Sequence, residues 1–315
     1  MGTDMPVTPA DGIVVRVFIG LAPTRRPAVA VMMLGLAFIT GMTPGPVSGL
    51  TTTRTLVDAG SLRIVLTDDP ADMVAAQRLR FEVFAGEPGF SDTIGDAETR
   101  RDADHFDGFC DHLLAVGDDG GVIGCARLLP PPGAVAAGGW YCSTEFDLSE
   151  LDEIASTTVE MGRACVLDGH RNGSVTALMW AAVLRYLEES GYRYLIGAVS
   201  MPLGGPEIDG LARGSALRGA RDVLRDRHRA PWQAFPHVRA RVGETLLDDI
   251  EPPARVQLPP LMRAYLRLGA QVCGEPAIDP AFDVGDFLTV LDRHGSSARY
   301  LNRLRDTVAR LGGTA

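Results

Sequence analysis

A strand, a short loop carrying Arg and Gly, and an apolar helix follow one another between Thr157 and Glu188, and this succession limits the folds open to the chain more than any other stretch. Thr157–Val166 is apolar enough to be a strand, and Ser174–Glu188 has the spacing of an amphipathic helix. Between them stand Arg171, Asn172 and Gly173, with the helix starting at Ser174. Backbone N–H groups at a helix N-terminus, beside a small residue, cradle phosphate. Arg171 adds a charge-assisted contact. A glycine loop and a Ser cap also start helices that bind nothing, so both readings stay open on these residues.

The surrounding elements narrow the architecture. Ser61–Leu66 alternates as a strand, and Asp69-Pro70 offers a cap with Pro in the first turn of a helix running through Phe84. Residues 85–110 read as a long acidic loop. His112–Val116 and Val122–Leu129 flank Asp118-Asp-Gly-Gly121, a hairpin signal. Tyr194–Val199 reads as a buried strand, 207–229 as an Arg-rich helical stretch, 261–268 as a helix and Phe287–Leu291 as a late strand. The order β-α-β-β-β-α-β-α predicts an α/β (α+β) fold, a mixed sheet covered by helices, without the regular alternation of a doubly wound sheet. No G-x-G-x-x-G follows the first strand, so a dinucleotide fold has no fingerprint.

Composition excludes several functions. Hydrophobic residues make up 46% and charged residues 22%, as in globular proteins. All 30 basic residues are Arg, which rules out a P-loop lysine, a Schiff-base lysine and a lysine general base. The net charge of −10 argues against bulk nucleic-acid binding. Cys110, Cys125, Cys142, Cys165 and Cys273 are odd in number and widely spaced, which suits reduced thiols and a cytoplasmic setting. His105, Cys110 and His112 lie close together, but no second cluster joins them, so no metal is expected. Residues 1–55 differ from the rest: Arg25-Arg26 precedes an apolar run, Pro27–Met42, short of the ~20 residues that span a bilayer. They are expected to be a poorly structured leader from an over-long translation start, with a weak anchor or signal as alternatives. The folded domain is expected over 56–315.

Several motifs together carry a resemblance. They are Arg80-Phe-Glu-Val-Phe84, Asp104-His-Phe-Asp107, Ala126-Arg-Leu-Leu-Pro130, Glu145-Phe-Asp-Leu148, Glu160-Met-Gly-Arg163-Ala-Cys165 and Leu258–Ala270. In order and spacing, over about residues 62–305, the chain resembles the GNAT superfamily. Within it the chain is similar to the hemolysin-like branch of ornithine–acyl-carrier-protein N-acyltransferases, which make lyso-ornithine lipid. Acyl-homoserine-lactone synthases share part of the pattern. The loop reads Arg171-Asn-Gly-Ser where GNAT enzymes usually have Q/R-x-x-G-x-G/A. The resemblance implies a mostly antiparallel GNAT-like sheet with a C-terminal helical extension. It also implies transfer of a (3-hydroxy)acyl group to the α-amino group of ornithine or a similar amino acid. The co-substrate would be acyl-ACP, a phosphopantetheine thioester, or acyl-CoA, with no permanently bound cofactor. The alternative is an acyl-CoA-dependent small-molecule acetyltransferase or a lactone-type signal synthase.

That chemistry assigns candidate roles. Glu160 is placed to take the amine proton, with Arg163 beside it; the competing reading is a buried structural Glu paired with Arg163 or Arg127. A regular strand puts positions i and i+3 on opposite faces, so joint action by Glu160 and Arg163 requires a bulge. Cys165 and Val166 offer backbone N–H groups to the thioester carbonyl, and Arg171, Asn172, Gly173 and Ser174 hold the donor's phosphate. The Cys165 thiol is expected to pack in the core. Asp104 and Asp107 suit a cationic acceptor, and Arg80 and Arg127 its carboxylate; the competing reading is loop capping by the aspartates and ion pairing among the four. Seven Arg stand against Asp222 and Asp226 between 216 and 241, and Arg218, Arg221, Arg225 and Arg229 recur at helical spacing. This face is a candidate docking site for acidic acyl carrier protein, or for the anionic inner membrane surface, against a plain solvated face.

Overall fold

The computed structural model describes residues 53–86, 95–171, 173–204, 211–280, 282–296 and 298–310. In chain order its first elements are β1 (Arg54–Asp58), β2 (Leu62–Thr67), α1 (Pro70–Ala85), β3 (Asp111–Gly117), β4 (Val122–Leu129), α2 (Pro131–Ala137), β5 (Phe146–Asp147) and β6 (Thr158–Val166). Then come α3 (Ser174–Ser190), β7 (Tyr194–Pro202), α4 (Ser215–Arg227), β8 (Arg229–Pro236), β9 (Arg241–Val242) and β10 (Thr245–Leu246). The last are α5 (Pro260–Leu268), β11 (Gln271–Gly274), β12 (Ala277–Asp279), β13 (Val284–Asp292) and α6 (Ala298–Arg310).

Eleven of the described strands form one sheet in the order β1-β2-β3-β4-β6-β7-β13-β11-β8-β5, with β12 on β13. Only β6–β7 and β8–β11 are parallel. This is the mixed, mostly antiparallel sheet expected from the element order. One face carries Val159, Met161, Leu195 and Val199 against Leu178, Ala182 and Leu187 of α3, all nearly or wholly buried. The other carries Val65, Leu114 and Cys125 against Leu79, Val83 and Phe84 of α1. Burying an aliphatic side chain of this kind stabilises by about 1.5–3 kcal/mol. At the start of α1 Asp69 accepts from the Ala71 N–H at 2.7 Å, with Pro70 in the first turn, as its sequence predicts.

Two irregularities of β6 create the site. The first is a splay. β6 and β7 each run nine residues, yet they pair only at Thr158↔Tyr194, Val159↔Leu195 and Glu160↔Ile196. A Cβ on Gly197 would lie 2.7 Å from the Met161 carbonyl oxygen, so glycine permits the close approach at the apex. Beyond it β6 has no strand partner on its β7 side among the described residues. The second is a bulge. Arg127 pairs with Gly162 and Cys125 with Cys165, so Arg163 and Ala164 together oppose Ala126. Arg163 adopts φ +50°, a left-handed conformation rare for a long side chain.

Several expectations change. Arg54 and Thr55 belong to β1, which pairs with β2, so the folded unit begins before residue 56. The remainder of the expected leader lies outside the described residues. The 85–110 stretch is not loop throughout: a 3-10 turn spans His105–Phe109. Pro130-Pro-Pro-Gly leads into α2, because proline fits a first helical turn. The 207–229 helix is shorter, ending at Arg227. His228 leaves the helical conformation at φ −135°, and Arg229 starts β8 in register with Val272. Among the described residues no helix is long and apolar enough to cross a membrane.

Candidate active site

Glu160 occupies the last paired position before the splay, with only 3% of its surface exposed. Its Oε2 accepts from the backbone N–H of Tyr141 at 2.6 Å and its Oε1 from that of Cys142 at 2.8 Å. These donors sit at the start of a 3-10 turn, Tyr141–Thr144, where N–H groups have no helical partner of their own. Burial pushes the Glu160 pKa up, and the hydrogen bonds from Cys142 and Tyr141 offset only part of that. A carboxylate so placed is a stronger base than a solvated one, as proton abstraction requires.

The bulge brings Arg163 onto the face that Glu160 uses. Its guanidinium lies 5.1 Å from the centre of the Tyr141 ring, the residue whose N–H binds Glu160. Arg163 is 1% exposed and fixed by two aspartates: Nε lies 3.1 Å from Asp102 Oδ2, and Nη2 donates to Asp104 Oδ2 at 3.1 Å. Its Nη1 is buried with no hydrogen-bond partner among the described residues.

Arg80, Asp104, Asp107 and Arg127 meet in the same place, as a balanced lattice. Arg80 bonds Asp107 at 2.7 Å and lies 3.0 Å from Asp102 Oδ2. Arg127 donates to Asp104 at 2.5 Å and to Asp107 at 2.9 Å. Gln77 donates to Asp107 at 2.8 Å. Asp104 and Asp107 also form a capping box on the His105–Phe109 turn. Burial opposes the Asp107 charge, but Arg80 and Arg127 outweigh it and hold its pKa well below the usual carboxylate range. Burial likewise opposes the charge on Asp104, which Arg127 and Arg163 keep ionised. Pairing and capping therefore occupy all four residues in this structure. Asp104 alone of the four reaches solvent, with 22% of its side chain exposed. Asp102 and Gln77 are members that sequence spacing did not reveal, since each is one polar residue in an unremarkable stretch.

The loop after β6 has the expected shape with one change. Gly173, at φ +81°, caps α3, and Ser174 is the first helical residue and not the cap. The left-handed turn there requires glycine. Arg171 Nε donates to the Val166 carbonyl at 3.0 Å, folding the side chain back along the end of β6. Asn172 lies outside the described residues. The Cys165 Sγ stands 3.6 Å from that of Cys125. The Cys125 thiol and burial hold Cys165 well above the ordinary thiol range, which fits a core thiol and not a nucleophile.

The expected docking face is rearranged. Arg221 is 3% exposed and satisfied by Asp222 at 2.8 Å, Asp248 at 2.7 Å and Glu275 at 2.6 Å. Arg218 binds Asp222 at 2.9 Å and the Leu247 carbonyl at 3.1 Å. Arg221 turns inward because Asp248 and Glu275, distant in sequence, converge on it, and Arg218 is drawn to backbone carbonyls of the 247–250 segment. Arg229 lies on β8, so the four do not share one helix face. Arg225 and Arg229 remain exposed.

Comparisons with known proteins bear on this arrangement. The Acetyltransferase (GNAT) domain family matches residues 79–181, the stretch from α1 through the Arg–Asp lattice, β6 and the start of α3. An L-ornithine N(alpha)-acyltransferase of Rhodobacter capsulatus is 30% identical over 249 residues, 76% of this chain and 93% of that protein. One from Rhizobium meliloti is 32% identical over 257 residues, 77% of this chain and 83% of that protein. Among solved structures, a CoA-dependent acyl-homoserine lactone synthase aligns with 77% of this chain and 92% of its own, at 15% identity and a TM-score of 0.42.

Proposed function

This chain belongs to the L-ornithine N(alpha)-acyltransferase family, and we propose that it moves a 3-hydroxyacyl group from acyl carrier protein to the α-amino group of ornithine. The observation that carries the mechanism is the fixed, buried Glu160 carboxylate at the apex of the β6–β7 splay.

The donor's phosphopantetheine lies along the open side of β6, with its phosphate at the Arg171–Ser174 loop and the first turn of α3. A small apolar crevice between β6 and α3 is lined by Met161, Ala164, Val166, Met179, Trp180 and Tyr265 and would have to widen to admit a long alkyl chain. The thioester carbonyl faces backbone N–H groups of the Cys165–Val166 segment. Glu160 removes a proton from the α-ammonium. The freed amine attacks the carbonyl carbon, and the N–C bond forms as the oxyanion develops against the strand amides. The intermediate collapses with cleavage of the C–S bond, its nitrogen gives up a second proton to become the amide N–H, and the departing thiolate takes up that proton. Arg163, with Nη1 unpaired, is the guanidinium open to the acceptor's carboxylate. Asp104, the reachable member of the lattice, flanks it. Arg80, Arg127 and Asp107 hold both in position. The exposed Arg225 and Arg229 are the docking candidates for an acidic carrier protein, or for an anionic membrane surface at the cytoplasmic side.

A donor competition tests this reading. Equal 3-hydroxyacyl-ACP and 3-hydroxyacyl-CoA are offered with ornithine, and the released thiols are separated. Preferential consumption of the ACP thioester is the expected result. Turnover confined to acyl-CoA would move the protein to a CoA-dependent acyltransferase.

A further inference from the structure

Three carboxylates outside the Arg–Asp lattice converge on the same face of the sheet. Glu145 follows the Tyr141–Thr144 turn, Asp279 ends β12 and Asp286 lies on β13 opposite Ser200. One oxygen from each falls within 4.8 Å of the others. The lattice acids are each matched by arginine. Here, among the described residues, neither Glu145 nor Asp286 has an ion pair. Asp286 is wholly buried, and its Oδ1 accepts from Ser200 Oγ at 2.5 Å, while Oδ2 is buried with no hydrogen-bond partner among the described residues. Glu145 Oε2 is also buried without a partner. Burial and the neighbouring acids Asp279 and Glu160 push Glu145 up to about 7, and burial and Glu145 raise Asp286 well above its ordinary value. Buried carboxylates left unmatched are costly, so such a group is retained where something cationic completes it.

The position says which cation. Glu160 pairs in the sheet with Ile196, and Ile196, Ala198 and Ser200 alternate onto one face, so Glu160, Ser200 and Asp286 share it. One short turn, Tyr141–Thr144, binds Glu160 through its first N–H groups and delivers Glu145 at its other end. The Arg163 guanidinium, held by Asp102 and Asp104 through Nε and Nη2, acts electrostatically on Glu145, an unfavourable neighbour for a divalent ion, which also seeks six to eight oxygens. A primary ammonium carries one charge and three N–H donors, one for each carboxylate.

We propose that Glu145, Asp279 and Asp286 form the subsite for the side-chain ammonium of the acceptor amino acid. The proposal rests on the acceptor reading above: the α-amine reacts at Glu160 while the three acids hold the second amine, three methylenes away. The subsite selects diamino acids over acceptors that lack a terminal amine.

The test compares ornithine with norvaline, its analogue lacking the terminal amine, in the full-length protein and in Asp286→Asn and Glu145→Gln, each confirmed folded by circular dichroism. Wild type should prefer ornithine in kcat/KM by about a thousandfold or more, as sites built around a substrate N–H do. Each variant should lower that preference at least about tenfold, through a higher KM for ornithine. An unchanged preference in both variants overturns the subsite. Calorimetry with ornithine and norvaline gives a reading independent of turnover. If wild type acylates neither amino acid, the reaction assignment fails. The subsite then stands if ornithine binds more tightly than norvaline and Asp286→Asn abolishes the difference, and falls if it does not. Tight, Asp286-dependent binding of Mg²⁺ or Mn²⁺ with no ornithine preference would make this a metal site and overturn the proposal.

Discussion

Glu160 Oε2 and the backbone N–H of Tyr141 lie 2.6 Å apart, and this bond joins the central strand to the turn that closes over it. The Cys142 N–H adds a second bond at 2.8 Å, so both carboxylate oxygens are fixed before any substrate arrives. Preorganisation of this kind spares the reaction the reorientation of its base. The same turn carries Glu145 toward Asp279 and Asp286, so the base and the three acids share one support.

Replacing Glu160 with Gln should lower kcat by about 10²–10⁴-fold with little change in KM for the acyl donor. The amide NH₂ would also confront one of the two backbone donors, leaving a buried N–H unpaired at a cost of about 1–3 kcal/mol. Single-turnover kinetics and thermal melting measure the two effects separately. A variant with wild-type kcat would remove Glu160 from the chemistry.

The Arg–Asp lattice should make the protein acid-sensitive in a defined direction. Asp107 and Asp104 have folded pKa values below the ordinary ~4 of an unfolded aspartate. Their contribution is therefore fully present above about pH 4 and is lost as pH falls toward the folded values. Asp107→Asn should destabilise by about 3–5 kcal/mol at pH 7, since it leaves buried Arg80 and Arg127 undercompensated. The gap from wild type should narrow below pH 4, as urea titrations at several pH values would show.

Glu145 should behave in the opposite sense. Burial and its neighbours Asp279 and Glu160 raise its folded pKa to about 7, against the moderating Arg163. Between about pH 4.3 and 7 the unfolded chain releases this proton while the folded protein retains it, so stability falls as pH rises. Glu145→Gln should therefore be more stable than wild type by about 1–3 kcal/mol at pH 8 and equal to it at pH 4. A stabilising substitution that lowers ornithine selectivity is the trade-off expected of a binding residue.

Charge reversal should separate the two kinds of arginine near α4. Arg225→Glu with Arg229→Glu should raise the KM for acyl-ACP, with an effect that shrinks as salt is added. Arg221→Glu should instead lose stability, because it places a third acid between Asp248 and Glu275. A salt-insensitive, unchanged KM in the double variant would remove the docking assignment.

The central part of the fold was legible because its patterns are local. The Asp118–Gly121 hairpin, β6, the Gly173 loop, α3 and β7 each carry their own periodicity or turn chemistry. β1 was missed because Arg54 and Asp58 bracket a short edge strand that resembles the polar chain before it. The end of the helix after Ser215 is hidden in the sequence because arginines at helical spacing run on into β8. Glu160 and Arg163 were legible as a pair, and the bulge that joins them was required by the spacing argument, though no residue announced it. Glu145 stands in one of the motifs of the resemblance, but nothing in the sequence joins it to Asp279 and Asp286. They come from a turn and two strands far apart in sequence, and only β13 pairing with both β7 and β12 assembles them.

The most direct test is mass spectrometry of the product formed from 3-hydroxyacyl-ACP and ornithine, with the site of acylation read from fragmentation. The account predicts N-acylation at the α-amine, the δ-amine remaining free, and loss of product in Glu160→Gln. Acylation at the δ-amine, or undiminished product from Glu160→Gln, would contradict it.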